Sequence, residues 1–278
     1  MRCDLTNRVI AVTGASSGIG AATALACAEG GMDVALQARR EERLREVAAQ
    51  VKKAGRAALI VAGDVDRDED VNRFIADTTS RFGRLDAAFA NAGFGLCGPV
   101  ADAAPQQARA IFETNFFGTM RLIRAAVPVM RRQGSGHILI CSSSVSEIGL
   151  PMNGLYCATK AAQDSIASSM RAELADEKIH VSSVHPVGTR TEFYEASRIR
   201  SGLDGKHFNT PSVLVQTPEK VARAIVRCLR RPRPEVWPHL MSRFGLAIVT
   251  AFPAFNEMSM RSLMRKRYRD AKPRCATP

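Results

Sequence analysis

Tyr156 and Lys160 stand four residues apart, and Ser143 stands thirteen residues before the tyrosine, all within the stretch CSSSVSEIGLPMNGLYCATK. On a helix, positions i and i+4 share a face, so the Lys160 ammonium is expected beside the turn that carries the Tyr156 phenol. A nearby cation favours the phenolate, and a free tyrosine titrates near 10. Each unit removed from that value is worth about 1.4 kcal/mol and moves the group toward proton exchange at neutral pH. A serine hydroxyl entering from a preceding strand end can donate a second hydrogen bond to the same substrate oxygen. These residue types at this spacing point to proton transfer at an oxygen. The same Tyr-x-x-x-Lys pattern also arises where a surface lysine lies along a packed ring, so the surrounding elements decide its meaning.

Those elements alternate strand and helix. Arg8 to Thr13 reads as a β-branched strand, followed by GASSGIG and the small-residue helix AATALACAEGG. Gly14, Gly18 and Gly20 permit a tight turn with close approach of backbone N–H groups, and the helix N-terminus offers unpaired donors to a pyrophosphate. Ser16, Ser17 and Ile19 of the same turn join the cofactor-binding candidates. The second strand, Asp33 to Gln37, ends at Ala38-Arg39-Arg40 and lacks the acidic residue that would bind a ribose 2′-hydroxyl. Arg39 is the expected clamp for a 2′-phosphate, which selects NADP(H), and Arg40 is expected only to begin the next helix.

Ala57 to Ala62 gives strand three, with Asp64 and Val65 at its end and Asp64 placed to accept from an adenine amino group. Leu85 to Ala90 gives strand four, and Asn91-Ala92-Gly93 forms a turn that passes close beneath a cofactor. A long helical pattern follows from Ile111 to Met130 with Asn115 in its middle, where asparagine competes for backbone hydrogen bonds and bends a helix or holds a water. Gly136 to Cys141 is strand five and leads into the Tyr156 helix. Ile179 to His185 is strand six and ends at Pro186, with Thr189 and Thr191 beyond. Residues 192–215 have weak periodicity and the length of a functional lid. Residues 218–231 read as a proline-initiated helix, and residues 234–238 as a last strand.

The 278 residues are 46% apolar and 24% charged, an ordinary globular composition for one large domain with an appendage. No basic and apolar leader opens the sequence, and seven cysteines without a Cys-x-x-Cys pair suit reduced thiols, so a cytoplasmic protein is expected. Scattered histidines argue against a metal site. The longest nearly apolar run, residues 244–255, is 12 residues, short of the roughly 18 needed to span a bilayer. Of the net charge of +12, ten units lie from Glu219 onward, where fourteen Lys and Arg face four acids. A nearly neutral body with a basic tail points away from nucleic acid and toward a tail-specific partner or a solvated face. Met260, Leu263, Met264 and Tyr268 share one helical face against Arg261, Arg265, Lys266 and Arg269. That face either packs over the cleft or a partner subunit, or lies in an anionic lipid interface as a peripheral membrane contact.

Taken together, TGASSGIG at 13–20, Asp64-Val65, Asn91-Ala92-Gly93, the set Asn115, Ser143, Tyr156 and Lys160, and the proline turn before Thr189 and Thr191 resemble a classical short-chain dehydrogenase/reductase. The resemblance runs from about Asp4 to Trp237. It implies one doubly wound α/β Rossmann domain over residues 1–238, a parallel sheet with helices on both faces; beyond it, the apolar and basic pattern of 239–278 is expected to form a helical appendage. It also implies that Tyr156 is the general acid/base, that Ser143 polarises the carbonyl, and that Lys160 holds the nicotinamide ribose and lowers the tyrosine pKa. Asn115 would fix a water relaying protons to Lys160. Val187 departs from the glycine usual after the proline. The implied function is hydride transfer between NADP(H) and a carbonyl or secondary alcohol, and GLPMNGLYCATK resembles members acting on lipophilic substrates. A homo-oligomer, dimer or tetramer, is expected. The competing reading is a non-catalytic NADPH-binding regulatory or scaffold protein on the same fold; an epimerase or dehydratase is disfavoured because no second substrate domain fits after residue 190.

Overall fold

The computed structural model of the chain describes residues 3–202 and 215–268. Alternation along β1 (Val9–Thr13) sets the layers: Ile10 and Val12 enter one apolar cluster and Ala11 the opposite one, as the two-residue period of a strand requires. The remaining strands are β2 (Asp33–Ala38), β3 (Ala58–Ala62), β4 (Ala87–Ala90), β5 (Gly136–Cys141), β6 (Ile179–Val184) and β7 (Glu235–Val236). All pair in parallel, in the order β3-β2-β1-β4-β5-β6-β7. The doubly wound α/β expectation is met.

The helices are α1 (Gly18–Glu29), α2 (Glu41–Lys53), α3 (Asp68–Phe82), α4 (Pro105–Phe112), α5 (Gly118–Gln133), α6 (Gly154–Glu173), α7 (Phe193–Ser201), α8 (Pro218–Arg230), α9 (Leu240–Ala251) and α10 (Pro253–Tyr268). Helices α1, α2 and α8 bury Cys27, Leu44, Val51, Ile225 and their neighbours on one face of the sheet. On the other face, α3, α5 and α6 bury Phe74, Leu122, Met130, Ala167 and Met170. Covering both faces is what lets parallel strands be apolar throughout. Strand order reverses between β1 and β4, and the crevice at the carboxyl ends of such strands is where ligands bind in sheets of this kind.

Three differences from the sequence reading have local causes. Strand β4 begins at Ala87, not Leu85, because the Leu85 N–H is given to the Gln133 side chain at 3.1 Å. Strand β7 is cut to two residues between Pro234 and Pro238, which lack the N–H a ladder needs. The long helix around Asn115 is interrupted by a π-helical turn at Glu113–Phe117, which separates α4 from α5. Beyond β7, the apolar stretch and the basic face are both helical, divided at Pro253. Helix α9 lies beside the 3-10 turn Ser144–Glu147, and Arg243 bridges Glu147 (3.5 Å) and Glu235 (3.2 Å). Met260 and Met264 are half-buried; the side chains of Leu263, Lys266 and Tyr268, with Arg269 and residues 203–214 of the expected lid, lie outside the described residues.

Candidate active site

The turn after β1 is built for close approach. Gly14 has φ +64, and a Cβ there would meet Ala92 Cα at 2.8 Å; a Cβ at Gly20 would meet the Gly14 carbonyl oxygen at 2.3 Å. Asn91 pins the turn by donating from Nδ2 to the carbonyls of Thr13 (3.0 Å) and Gly14 (3.2 Å), while the Thr13 hydroxyl accepts from the N–H groups of Asn91 (3.0 Å) and Ala92 (3.2 Å). At the N-terminus of α1, the Ser17 hydroxyl caps no backbone N–H and no acid occupies the first turn. Free helix-terminal donors beside a turn with no side chains in the way fit a pyrophosphate. Ile19 packs its side chain against the apolar cluster below and so presents only backbone to the crevice.

At the end of β2 the two arginines divide differently from the sequence reading. Arg39 Nη1 stands 3.7 Å from Asp64 Oδ2. Arg40, expected only to start α2, reaches back over the turn, donating from Nη2 to Ser17 Oγ at 3.0 Å and Ser16 Oγ at 3.4 Å, and pairing with Glu192 Oε2 at 2.9 Å. Two guanidinium groups therefore flank the end of β2. Asp64 also accepts from the Asp66 N–H at 3.2 Å, and Val65 is buried against Gly118.

The reacting end forms where β5, α6 and the π turn meet. Ser143 is buried at the mouth of β5 beside the Tyr156 phenol, and its hydroxyl accepts from the Val145 N–H at 3.4 Å. Ser142 is excluded from that role because its hydroxyl donates to the Lys160 carbonyl at 3.2 Å. Tyr156 has Phe193 of α7 at 5.5 Å between ring centroids. Lys160 is 4% exposed, and its Nζ donates to the Cys141 carbonyl at 2.7 Å and to Gln163 Oε1 at 2.9 Å. It lies 5.5 Å from the centroid of the Tyr156 ring.

Tyr156, Lys160 and Asn115 are each held by further contacts. Loss of solvent, with the neighbouring Cys141 thiol second, pushes the Tyr156 phenol up, and the Ser143 hydrogen bond only partly opposes the shift. The Lys160 ammonium is held by Cys141 and Gln163, and burial pushes its own pKa down. Asn115 has no carbonyl lone pair left for a water. Its oxygen accepts from Gln163 Nε2 at 2.6 Å and Thr119 Oγ1 at 2.8 Å. The Asn115 side chain instead clamps Phe94, accepting its N–H and donating to its carbonyl, both at 2.9 Å, with Thr159 Oγ1 3.1 Å away. Gly93, just before Phe94, sits against Asn115 Oδ1.

The segment after β6 closes the crevice. Pro186 gives its carbonyl to the Ser144 N–H at 3.0 Å, and Val187 takes no left-handed backbone conformation, so its position needs no glycine. The Thr189 hydroxyl donates to the Val187 carbonyl at 2.8 Å, and a bridge joins Thr189 to Gln216. Thr191 lies within 3.2 Å of where a Gly18 Cβ would stand, so this segment meets the glycine turn. Contacts thus join the candidates in a chain: Asn91 to the glycine turn, Gly93 to Asn115, and Thr191 to Gly18. Arg40, Gln163 and Phe193 were missed by sequence reading. Only a paired Arg-Arg and a lone glutamine among small residues hinted at the first two.

The short-chain dehydrogenase family model matches residues 8–201. The chain belongs to this family. An uncharacterized oxidoreductase of Bacillus subtilis, YxnA, is 31% identical over 94% of this chain and 73% of its own length. The 11-beta-hydroxysteroid dehydrogenase 1A of Arabidopsis thaliana is 35% identical over 76% of this chain and 58% of its own. Among solved structures, an alcohol dehydrogenase from the archaeon Thermococcus sibiricus complexed with 5-hydroxy-NADP aligns with TM-score 0.71 and 29% identity, covering 82% of this chain and 94% of that one. Short-chain dehydrogenases are oxidoreductases that use nicotinamide cofactors, and the free donors of α1, the glycine cradle and the Ser143–Tyr156 pair fit one. Among the described residues, no group of three or more His, Cys, Asp or Glu is placed to hold a metal, and no helix is long and apolar enough to cross a membrane.

Proposed function

We propose that this short-chain dehydrogenase is NADP(H)-dependent and interconverts a lipophilic ketone and its secondary alcohol. The observation that carries the reading is that Ser143, Tyr156 and buried Lys160 come together at the end of β5, with Lys160 Nζ 5.5 Å from the Tyr156 ring centroid. When bound, the nicotinamide supplies or takes the hydride. In reduction, Tyr156 gives its phenolic proton to the substrate oxygen while the Ser143 hydroxyl donates a hydrogen bond to the same atom. In oxidation, Tyr156 receives the proton. An ammonium has three donors, and Lys160 uses two on Cys141 and Gln163, which leaves one for a ribose hydroxyl. Preference for the 2′-phosphate follows from Ala38 in place of an acid, with Arg39 and Arg40 on either side. Phe193 beside Tyr156 and the steroid-dehydrogenase relatives support a lipophilic substrate.

Residues 1–238 form the proposed catalytic unit and 239–278 an appendage. On that appendage Met241, Phe244, Ile248, Phe252, Phe255 and Met258 are exposed, and only Glu257 is acidic between Trp237 and Arg265. This supports peripheral contact with an anionic membrane from the cytoplasmic side. Exposed Phe117, the last residue of the π turn, supports a homo-oligomer.

The test is NADPH and NADH consumption with acetophenone, cyclohexanone and a panel of steroid ketones. Turnover with NADPH preferred is expected. NADPH binding without turnover of any ketone would leave the non-catalytic cofactor-binding reading in its place.

A further inference from the structure

One side chain joins the Lys160 ammonium to the π turn. Gln163 Oε1 accepts from Lys160 Nζ at 2.9 Å, and Gln163 Nε2 donates to the Asn115 carbonyl at 2.6 Å and to Thr119 Oγ1 at 2.7 Å. These partners come from α6, from the turn Glu113–Phe117 and from α5. Gln163 is 1% exposed and Asn115 and Thr119 are buried with it. A primary amide so placed costs desolvation and rotamer entropy that an apolar residue would not. Its donors and acceptor are all used, which is the condition under which a buried polar network fixes one geometry.

The π turn is what makes the link available. Asn115 lies in the π-helical turn, and its carbonyl accepts from both the Thr119 hydroxyl and Gln163 Nε2. A carbonyl oxygen has two lone pairs. The span from ammonium to carbonyl that a water could bridge is therefore filled by an amide, which fixes position without gaining or losing a proton.

We propose that Gln163 is a positioning residue of the proton-transfer site, a strut that sets the direction of Lys160 by tying it to the Asn115 carbonyl. The proposal rests on the NADP(H)-oxidoreductase reading above. It differs from a packing role in a way three variants separate. Gln163→Leu keeps the volume and removes the polar bridge. Gln163→Ala leaves room for a water between the same polar atoms. Gln163→Glu places a carboxylate against the ammonium.

For each variant the measurements are the thermal unfolding midpoint, the NADPH dissociation constant from cofactor fluorescence, and the titration of the Lys160 Cε resonance in 13C-lysine protein, assigned with Lys160→Arg. The titratable groups facing Lys160 are Cys141 on β5, Tyr156 and Asp164 on α6, and His185 after β6, which lies 3.7 Å from Asp164. None of them changes between the variants. The expected result is that Leu weakens NADPH about tenfold or more, whereas Ala stays within about threefold. The Lys160 midpoint should move down in the Leu variant and up in the Glu variant.

The reverse order, with Ala more damaged than Leu, or a Lys160 titration the same in the Glu variant and the wild type, overturns the proposal in favour of packing. If Leu does not fold, the Ala and Glu variants still decide. Wild-type protein that binds no NADPH would sink the functional reading instead.

Discussion

Arg40 Nη2 lies 2.9 Å from Glu192 Oε2 while also donating to the hydroxyls of Ser16 and Ser17. The guanidinium thus sits between the glycine turn and the residue that opens α7, held by a carboxylate where a 2′-phosphate would compete for it. Both partners are about half exposed, so the pair is worth only about 0.2–1 kcal/mol.

Cofactor preference is predicted to rest on both arginines. Arg39→Ala and Arg40→Ala should each lower the ratio of kcat/KM for NADPH over NADH by about tenfold to a hundredfold, the worth of a charge-assisted hydrogen bond. Glu192→Gln removes the competing carboxylate and should tighten NADPH by about two- to fivefold. Equal efficiency with both cofactors in the wild type would refute the preference itself.

Tyr156→Phe removes only the reacting hydroxyl, so turnover should fall by about 10²–10⁴-fold. The NADPH dissociation constant should change little. Because burial holds the phenol above its ordinary value of about 10, the proton donor persists through neutral pH. Ketone reduction should then show no loss from Tyr156 ionisation between about pH 7 and 10, read from kcat against pH. A variant retaining most of its turnover would send the search for the donor elsewhere.

Asp86 anchors the start of the sheet. It accepts from Arg8 Nη1 at 2.7 Å, from both Arg84 Nε (2.7 Å) and Nη2 (2.6 Å), and from the Val9 N–H at 2.9 Å. Burial works to raise its pKa, but the arginine and backbone hydrogen bonds outweigh it and hold the carboxyl below the usual range. A depressed folded pKa means stability that is present above the unfolded value, about 3.9, and lost as pH falls through the folded one. Asp86→Ala should cost about 2 kcal/mol in urea unfolding at pH 7. The gap to the wild type should narrow below about pH 4; a gap unchanged by acid would rule out the charged pairing as its source.

The exposed apolar row of α9 and α10 predicts a lipid contact. Phe244 is 64% exposed and Phe252 62%. The full chain should co-sediment with liposomes containing phosphatidylserine more than with neutral ones, and high salt should weaken that binding. A double variant Phe244→Ser with Phe252→Ser should lose it while retaining NADPH binding. Sedimentation that is absent, or unchanged by the two substitutions, would dismiss the membrane contact.

The alternation of strands and helices, the glycine turn after Thr13, and the spacing of Ser143, Tyr156 and Lys160 were all present in the sequence by itself, because periodicity and backbone freedom are local properties. Local rules also gave the α/β class and the crevice where the candidates gather. The tertiary structure decided what those rules do not reach. Arg40 and Glu192 are 152 residues apart in sequence, and their pairing depends on where α7 lands against the glycine turn. Asn115 signalled a disturbed helix, but that its carbonyl would be taken by Gln163, 48 residues on, followed only from packing α6 against the π turn. The direction of the Tyr156 shift was likewise beyond the Tyr-x-x-x-Lys spacing. That spacing puts the two residues on one face, whereas solvent loss and the hold of the Cys141 carbonyl on the ammonium are set by elements the helix itself does not contain.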